Sequence, residues 1–255
     1  MEPRELASRA EREPQVPPGN NERYAGYGIF GVAFESGHIL AMRRFTASSL
    51  GAGYTSLWHR DPGGSWTITT DGDPTLACPR YFGAELDAAP RALIAITWTG
   101  PRAFRVEIRD TLRWDLELRP TLATRMLNGM GRLMPDALWR SPAVLGMMAR
   151  MAGPMLGAGK LTLVGKTSNG QGFLANPLLT WRVAKSQATW KGRDLGRVVP
   201  LDEQPSLGQF KIPRAPLFAA GRTYFDAYDP TLHTRGTTRE GPPVGGRARA
   251  GVIER

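Results

Sequence analysis

One histidine in a strand hairpin is the residue whose surroundings could support proton transfer. His59 precedes the turn signal Asp-Pro-Gly-Gly, and strand patterns flank that turn. Pairing across the turn would place Trp66 opposite His59, on the more apolar face of the hairpin. An imidazole there could act as an acid or base, with Tyr54 or Asp71 as its partner. The alternatives are a core histidine bonded to a backbone carbonyl, or a sheet whose other face is the buried one.

Aromatic and methionine side chains indicate an apolar ligand. Four tryptophans of predicted strands could line a cavity, because the indole ring is large and mostly apolar: Trp58, Trp66, Trp98 and Trp114. Seven of the nine methionines fall within residues 120–158, and the thioether side chain adapts to irregular apolar partners. We therefore expect four of them to contact a ligand or a lipid surface: Met126, Met130, Met148 and Met151. The alternative is that these helices only cover the core.

Several classes of site are excluded by the pattern of residues. No His, Cys, Asp or Glu group has metal-ligand spacing, and no phosphate-binding or dinucleotide-binding fingerprint occurs. We therefore expect neither a metal nor a cofactor. A single cysteine, Cys78, rules out an intramolecular disulfide.

The charge is strongly basic without being clustered. Lys and Arg number 33 against 23 Asp and Glu, which gives a net charge of +10. The arginines are spread along the chain, which indicates either a compositional bias or a basic surface for anionic lipid headgroups. Without a basic helix or an RNA-binding aromatic motif, we expect no nucleic-acid partner.

Periodicity predicts a mainly β, antiparallel fold. Leu112, Trp114, Leu116 and Leu118 alternate with charged residues, as in a strand with one wet face. Helical spacing over residues 121–134, and again after the start signal Ser-Pro at residue 141, predicts a Met-rich helical pair. The expected architecture is a lipocalin-like barrel, or two sheet units, with this pair inserted. The predicted segments are a flexible arm (1–23), a first β unit (24–119), the helical insert (120–158), a second β unit (159–228) and a disordered tail (229–255).

The layout resembles a known superfamily. The hairpin of residues 53–69, the alternating strands through residue 119 and the segment 160–177 resemble the lipocalin-like proteins that include carotenoid hydratases and tocopherol-cyclase-like proteins. The resemblance spans about residues 24–225. It implies barrel-like halves around an apolar ligand, and for some members hydration, cyclisation or pericyclic closure of isoprenoids and polyketides.

Two functions follow as hypotheses. The first is a cofactor-independent enzyme that isomerises, hydrates or cyclises an elongated apolar molecule in a β-barrel cavity, with His59 as acid or base. The second is a non-catalytic lipid binder or carrier that docks on membranes through the helices and basic surface. The charged N-terminal residues form no secretory signal, and no apolar stretch is long enough to span a bilayer. We therefore expect a cytoplasmic protein, or one held peripherally at a membrane.

Overall fold

Strands from both halves of the chain join one antiparallel sheet. The computed structural model describes residues 1–234. The main path of the sheet runs in the order β4-β3-β2-β1-β14-β9-β7-β6-β5. The strands are β1 (Glu22–Phe34), β2 (Ile39–Ser48), β3 (Tyr54–Arg60), β4 (Trp66–Thr70), β5 (Ala95–Trp98), β6 (Ala103–Ile108), β7 (Leu112–Arg119), β8 (Val164–Lys166), β9 (Gly172–Trp190), β10 (Arg193–Asp194), β11 (Val198–Val199), β12 (Ser206–Leu207), β13 (Phe210–Lys211) and β14 (Leu217–Phe225).

The sheet curls into a half-barrel. Three strands lie between β5 and β14 in the sheet order, yet the ring centroids of Trp98 (β5) and Phe218 (β14) are only 6.4 Å apart. The face that carries both rings is therefore concave. The predicted mainly β, antiparallel fold is confirmed. The two strand sets are continuous with each other, because β1 pairs with β14 and β7 pairs with β9.

The concave interior is filled with side chains. The alternating apolar residues predicted for β7 all lie buried there, and Trp114 is fully buried. The indole Nε1 of Trp114 donates a hydrogen bond of 2.8 Å to Ser186 Oγ, so its polar atom is satisfied. Large side chains from most of the long strands meet in this core. The concave side of the sheet is thus a packed core, and the cavity described below lies on the opposite, convex face.

The helical pair is inserted where the sequence predicts it. The helices are α1 (Pro3–Arg12), α2 (Pro79–Phe82), α3 (Leu122–Leu133) and α4 (Pro142–Met155). Thr121 caps α3 through its hydroxyl, which accepts from the backbone N–H of Thr124. Ser141 caps α4 ahead of the proline at its first position. Within residues 1–234 no helix has the length and apolar character needed to cross a membrane.

The N-terminal segment is ordered by a docked helix. Where the sequence predicts a flexible arm, helix α1 buries Ala7 in the concave core. The carboxylate of Glu11 accepts from Arg44 Nε and Nη2 at 2.9 and 2.7 Å, and from Tyr27 Oη at 3.1 Å. These contacts are long-range, so periodicity within the segment could not reveal them. Most of the predicted disordered tail lies outside the described residues.

Candidate functional site

The β3–β4 hairpin has a different register from the one the sequence predicts. The N–H of Asp61 donates to the carbonyl of Ser65 at 3.0 Å, so Arg60 pairs with Trp66, and His59 with Thr67. The predicted pairing of His59 with Trp66 is therefore wrong by one residue. Because successive residues of a strand point to opposite faces, the shift places Trp66 on the face opposite His59.

His59 lies in a closed aromatic cluster on the concave face. Only 6% of the residue is exposed. Its Nε2 lies 2.8 Å from Nδ1 of His38, and its ring stacks on Trp190 with centroids 3.9 Å apart. Burial, followed by the nearby His38, lowers the pKa of His59 to about 4, and Asp61 opposes this effect. His59 is thus a neutral imidazole near pH 7, with one nitrogen and one ring face already occupied.

The other predicted catalytic residues lie apart from His59. Tyr54 begins β3 and belongs to the core of the convex face, about 17 Å along the strand from His59. Its hydroxyl contacts Cys78 Sγ at 3.6 Å, and burial raises its pKa well above the ordinary value. Asp71 accepts from the backbone N–H of Thr55 at 2.6 Å. The structure therefore does not assemble the three residues, and a catalytic role for His59 stays a prediction.

The predicted ligand-binding residues are divided among several places. Trp98 and Trp114 belong to the concave core, whereas Trp58 and Trp66 are buried in the core of the convex face. All four lie outside the lining of the cavity described next. Met148 lines that cavity. The other three predicted methionines are exposed on the helical pair: Met126, Met130 and Met151.

An apolar cavity lies on the convex face, between the sheet and the helical pair. Its volume is about 150 Å³. Its floor is open because small residues face each other across three adjacent strands: Gly26 pairs with Gly221, and Gly28 with Ala219. Ala175 of β9 continues this floor. The space therefore arises from side chains that are absent from one patch of the sheet, and it lies outside the curl where the sequence predicts a barrel cavity.

Helices α3 and α4 roof the cavity with apolar side chains. Leu127, Met148, Ala152 and Leu156 line it from above. The amide of Asn128 fixes this roof on the sheet: it donates to the carbonyl of Thr180 at 3.0 Å and accepts from the N–H of the same residue at 2.8 Å. The roof is thus attached by a two-point polar contact and by apolar packing.

A buried arginine lines the deep wall of the cavity. Arg43 is 6% exposed, and its guanidinium carbon lies 4.9 Å from the ring centroids of Phe30 and Phe210 and 5.0 Å from that of Trp58. Burial lowers its pKa, although an arginine remains charged near neutral pH. Sequence reasoning missed this residue. The available signal was a charged residue among the alternating apolar positions of β2: Ile39, Ala41, Phe45 and Ala47.

Comparisons with known proteins leave the family open. No protein family profile matches the chain, and no curated protein matches it in sequence. Among solved structures, an acetoacetate decarboxylase from Legionella pneumophila is similar with a TM-score of 0.41 and 10% identity, over 84% of this chain and 87% of that one. The barrel-like antiparallel sheet of the lipocalin-like resemblance is confirmed by the structure, whereas the carotenoid-hydratase family itself has no support from these comparisons.

Proposed function

We propose that the protein binds an elongated apolar small molecule in the cavity beneath helices α3 and α4. The observation that carries the proposal is the combination of a floor of glycine and alanine with an apolar helical roof. Small-molecule sites are typically concave and mostly apolar, with a few polar groups that orient the ligand. An extended floor across β1, β14 and β9 suits a long, narrow ligand better than a compact one.

Binding is favoured over the proton-transfer hypothesis by the position of His59. A general base has to come within hydrogen-bond reach of the proton that it removes. His59 belongs to the concave face, and the cavity lies on the convex face of the same sheet. A substrate in the cavity would be separated from the imidazole by the thickness of the sheet.

Occupancy of the cavity can be tested with a neutral apolar dye. Ala219 is a small floor residue, so Ala219→Phe would fill the cavity, and we expect it to weaken Nile red binding at least tenfold. Thr97→Phe adds the same ring to an exposed position of β5 and should leave binding unchanged. Equal dye binding by wild type and Ala219→Phe would refute the site. Native mass spectrometry of the purified protein would show any co-purified ligand.

A second candidate function is that of a lipid carrier which docks on an anionic membrane. The outer side of the helical pair exposes a row of large apolar side chains: Leu122, Met126, Met130, Leu133, Leu138, Met147, Met151 and Met155. Arg125, Arg132 and Arg150 are exposed beside them, and neither α3 nor α4 contains an acidic residue. Apolar side chains flanked by arginines match the composition of helices that lie in a membrane interface.

Docking can be measured by sedimentation with lipid vesicles. We expect binding to vesicles that contain phosphatidylglycerol, and weak binding to vesicles of phosphatidylcholine alone. Met130→Glu should reduce the bound fraction several-fold, because it places a negative charge in the apolar row. Leu93→Glu is the control, since Leu93 is also apolar and exposed but lies outside the helical pair. Equal sedimentation of Met130→Glu and wild type would rule out this surface.

A further inference from the structure

Arg43 differs from two other partly buried arginines, one in β2 and one in α2, which are paired with carboxylates. Arg44 is paired with Glu11, and Arg80 donates to the buried Glu22 at 2.7 Å. For Arg43 no ion pair occurs within residues 1–234, and its Nε has no hydrogen-bond partner there. Buried charges in proteins are ordinarily paired, because an isolated charge is costly to desolvate.

Further unsatisfied donors surround this guanidinium. Ser56 lies directly opposite Arg43 in the β2–β3 ladder, and its Oγ is buried without a partner among the described residues. The indole Nε1 of Trp58, whose ring packs on the guanidinium, is likewise buried and unpartnered in that part of the chain. Neither Ser56 nor Trp58 lines the cavity, whereas Arg43 does, so of these groups only the guanidinium meets the cavity. A buried guanidinium without a carboxylate partner is complementary to an oxyanion.

The cavity wall carries a second polar group with free hydrogen-bonding capacity. Asn176 lines the cavity and is 2% exposed, and both Nδ2 and Oδ1 are buried with no partner within residues 1–234. A buried amide left without hydrogen bonds costs free energy comparable to that of the bonds it lacks. Asn176 belongs to β9, three strands from β2 in the sheet order, and is therefore a separate point at which another polar atom of a ligand would be stabilised.

The charges that line the cavity all have the same sign. Besides Arg43, the lining includes Lys211 and Arg222, and Arg222 is paired with Asp136 at 3.2 Å. No aspartate or glutamate is found among the described residues that line the cavity. The aromatic rings around Arg43 stabilise the cation in part, but they cannot neutralise it. The missing negative charge would have to come from a ligand.

We propose that Arg43 recognises the carboxylate of an elongated apolar acid, such as a fatty acid, at the wall of the cavity. One guanidinium balances one negative charge, so a monoanionic head group suits this buried position, and its planar fork matches the two oxygens of a carboxylate. The apolar floor and roof would then hold the chain. This inference rests on the proposed function, because it names the head group of a ligand in the same cavity.

The test compares an acid with the alcohol of equal chain length. Dodecanoic acid and dodecan-1-ol are titrated against the Nile red complex at about pH 8, where the carboxyl is ionised. We expect wild type to bind the acid about 10- to 100-fold more tightly than the alcohol, as hydrogen bonds to a charged group allow. Equal affinities in wild type would overturn the proposal. Absence of displacement by both compounds would instead refute the proposed function.

Variants then test whether Arg43 causes the preference for the acid. Arg43→Met should remove this preference and leave the affinity for the alcohol within about twofold. Arg43→Lys keeps a positive charge and should retain part of the preference. Arg44→Met, which removes the same charge from the neighbouring residue, should keep the wild-type ratio. An acid preference that survives in Arg43→Met would overturn the assignment. Should that variant fail to fold, Arg43→Gln replaces it, because it keeps hydrogen-bond donors but removes the charge, with an expected loss of about tenfold for the acid alone.

Discussion

The β2–β3 hairpin buries a polar side chain on each of its faces, and the two side chains differ in charge and in their contacts. On the concave face, His59 is neutral, contacts His38 and stacks on Trp190. On the convex face, Arg43 keeps its charge, and its Nε lacks a partner in the described part of the chain. The protein itself supplies the contacts of His59, whereas the charge of Arg43 would be neutralised only by an added anion. A buried, unpaired charge on the cavity wall, rather than a reactive residue type, therefore marks the candidate site.

The packing of the concave face can be tested at its largest side chain. Trp114 is fully buried and hydrogen-bonded to Ser186. We expect Trp114→Ala to lower the free energy of unfolding by about 3–5 kcal/mol, which is typical for removal of a buried aromatic ring. Urea denaturation followed by circular dichroism would measure it. A loss below about 1 kcal/mol would mean that the interior of the curl is open, and the contrast between the two faces would disappear.

The second prediction concerns pH. The folded-state pKa of His59 is about 4, below the ordinary value near 6.5, so the unfolded chain takes up the proton first as the pH falls. Its contribution is fully present above about pH 6.5 and is lost as the pH falls towards 4. After allowance for solvent screening this amounts to roughly 2 kcal/mol.

A variant separates His59 from the other titrating groups. His59→Gln should lose less stability than wild type between these two pH values, as measured by urea midpoints across the range. The pKa of His38 is also lowered, mainly by burial, so its contribution has the same sign and remains in both proteins. Parallel pH profiles would show that His59 has the same pKa in the folded and unfolded states, and the closed cluster would then be an incorrect description.

Sequence reasoning predicted the local features of this fold better than the assembled ones. The alternation in β7, the helical spacing in α3 and the capping residue of α4 are local signals, and the structure follows them. The hairpin register was missed because the turn signal does not fix the number of loop residues, and one residue inverts the faces. The cavity could not be predicted from the sequence for a different reason. Gly26, Ala175 and Ala219 belong to three strands that are distant in sequence, and they come together only because β1 pairs with β14 and β14 pairs with β9.

The third prediction addresses the convex face in the ligand-free protein. Replacing a buried, unpaired charge by an apolar side chain of similar length is neutral or stabilising. We expect Arg43→Met to raise the free energy of unfolding by about 1 kcal/mol, after loss of the cation–π contacts. Arg44→Met should instead lower it by up to about 1 kcal/mol, because a half-exposed ion pair is broken. Destabilisation of similar size in both variants would show that Arg43 is already satisfied within the protein.

The smallest predicted difference lies within the roof of the convex face. Met148 is half-buried and lines the cavity, whereas Met130 is 53% exposed on the outer side of the neighbouring helix. We expect Met148→Ser to lower the free energy of unfolding by about 1 kcal/mol and to weaken Nile red binding, because apolar contact area is lost. Met130→Ser should change stability by less than about 0.5 kcal/mol, as is usual for surface substitutions, and leave dye binding intact. If Met130→Ser weakens dye binding as much as Met148→Ser does, the dye binds on the outer surface of the helices and not in the cavity.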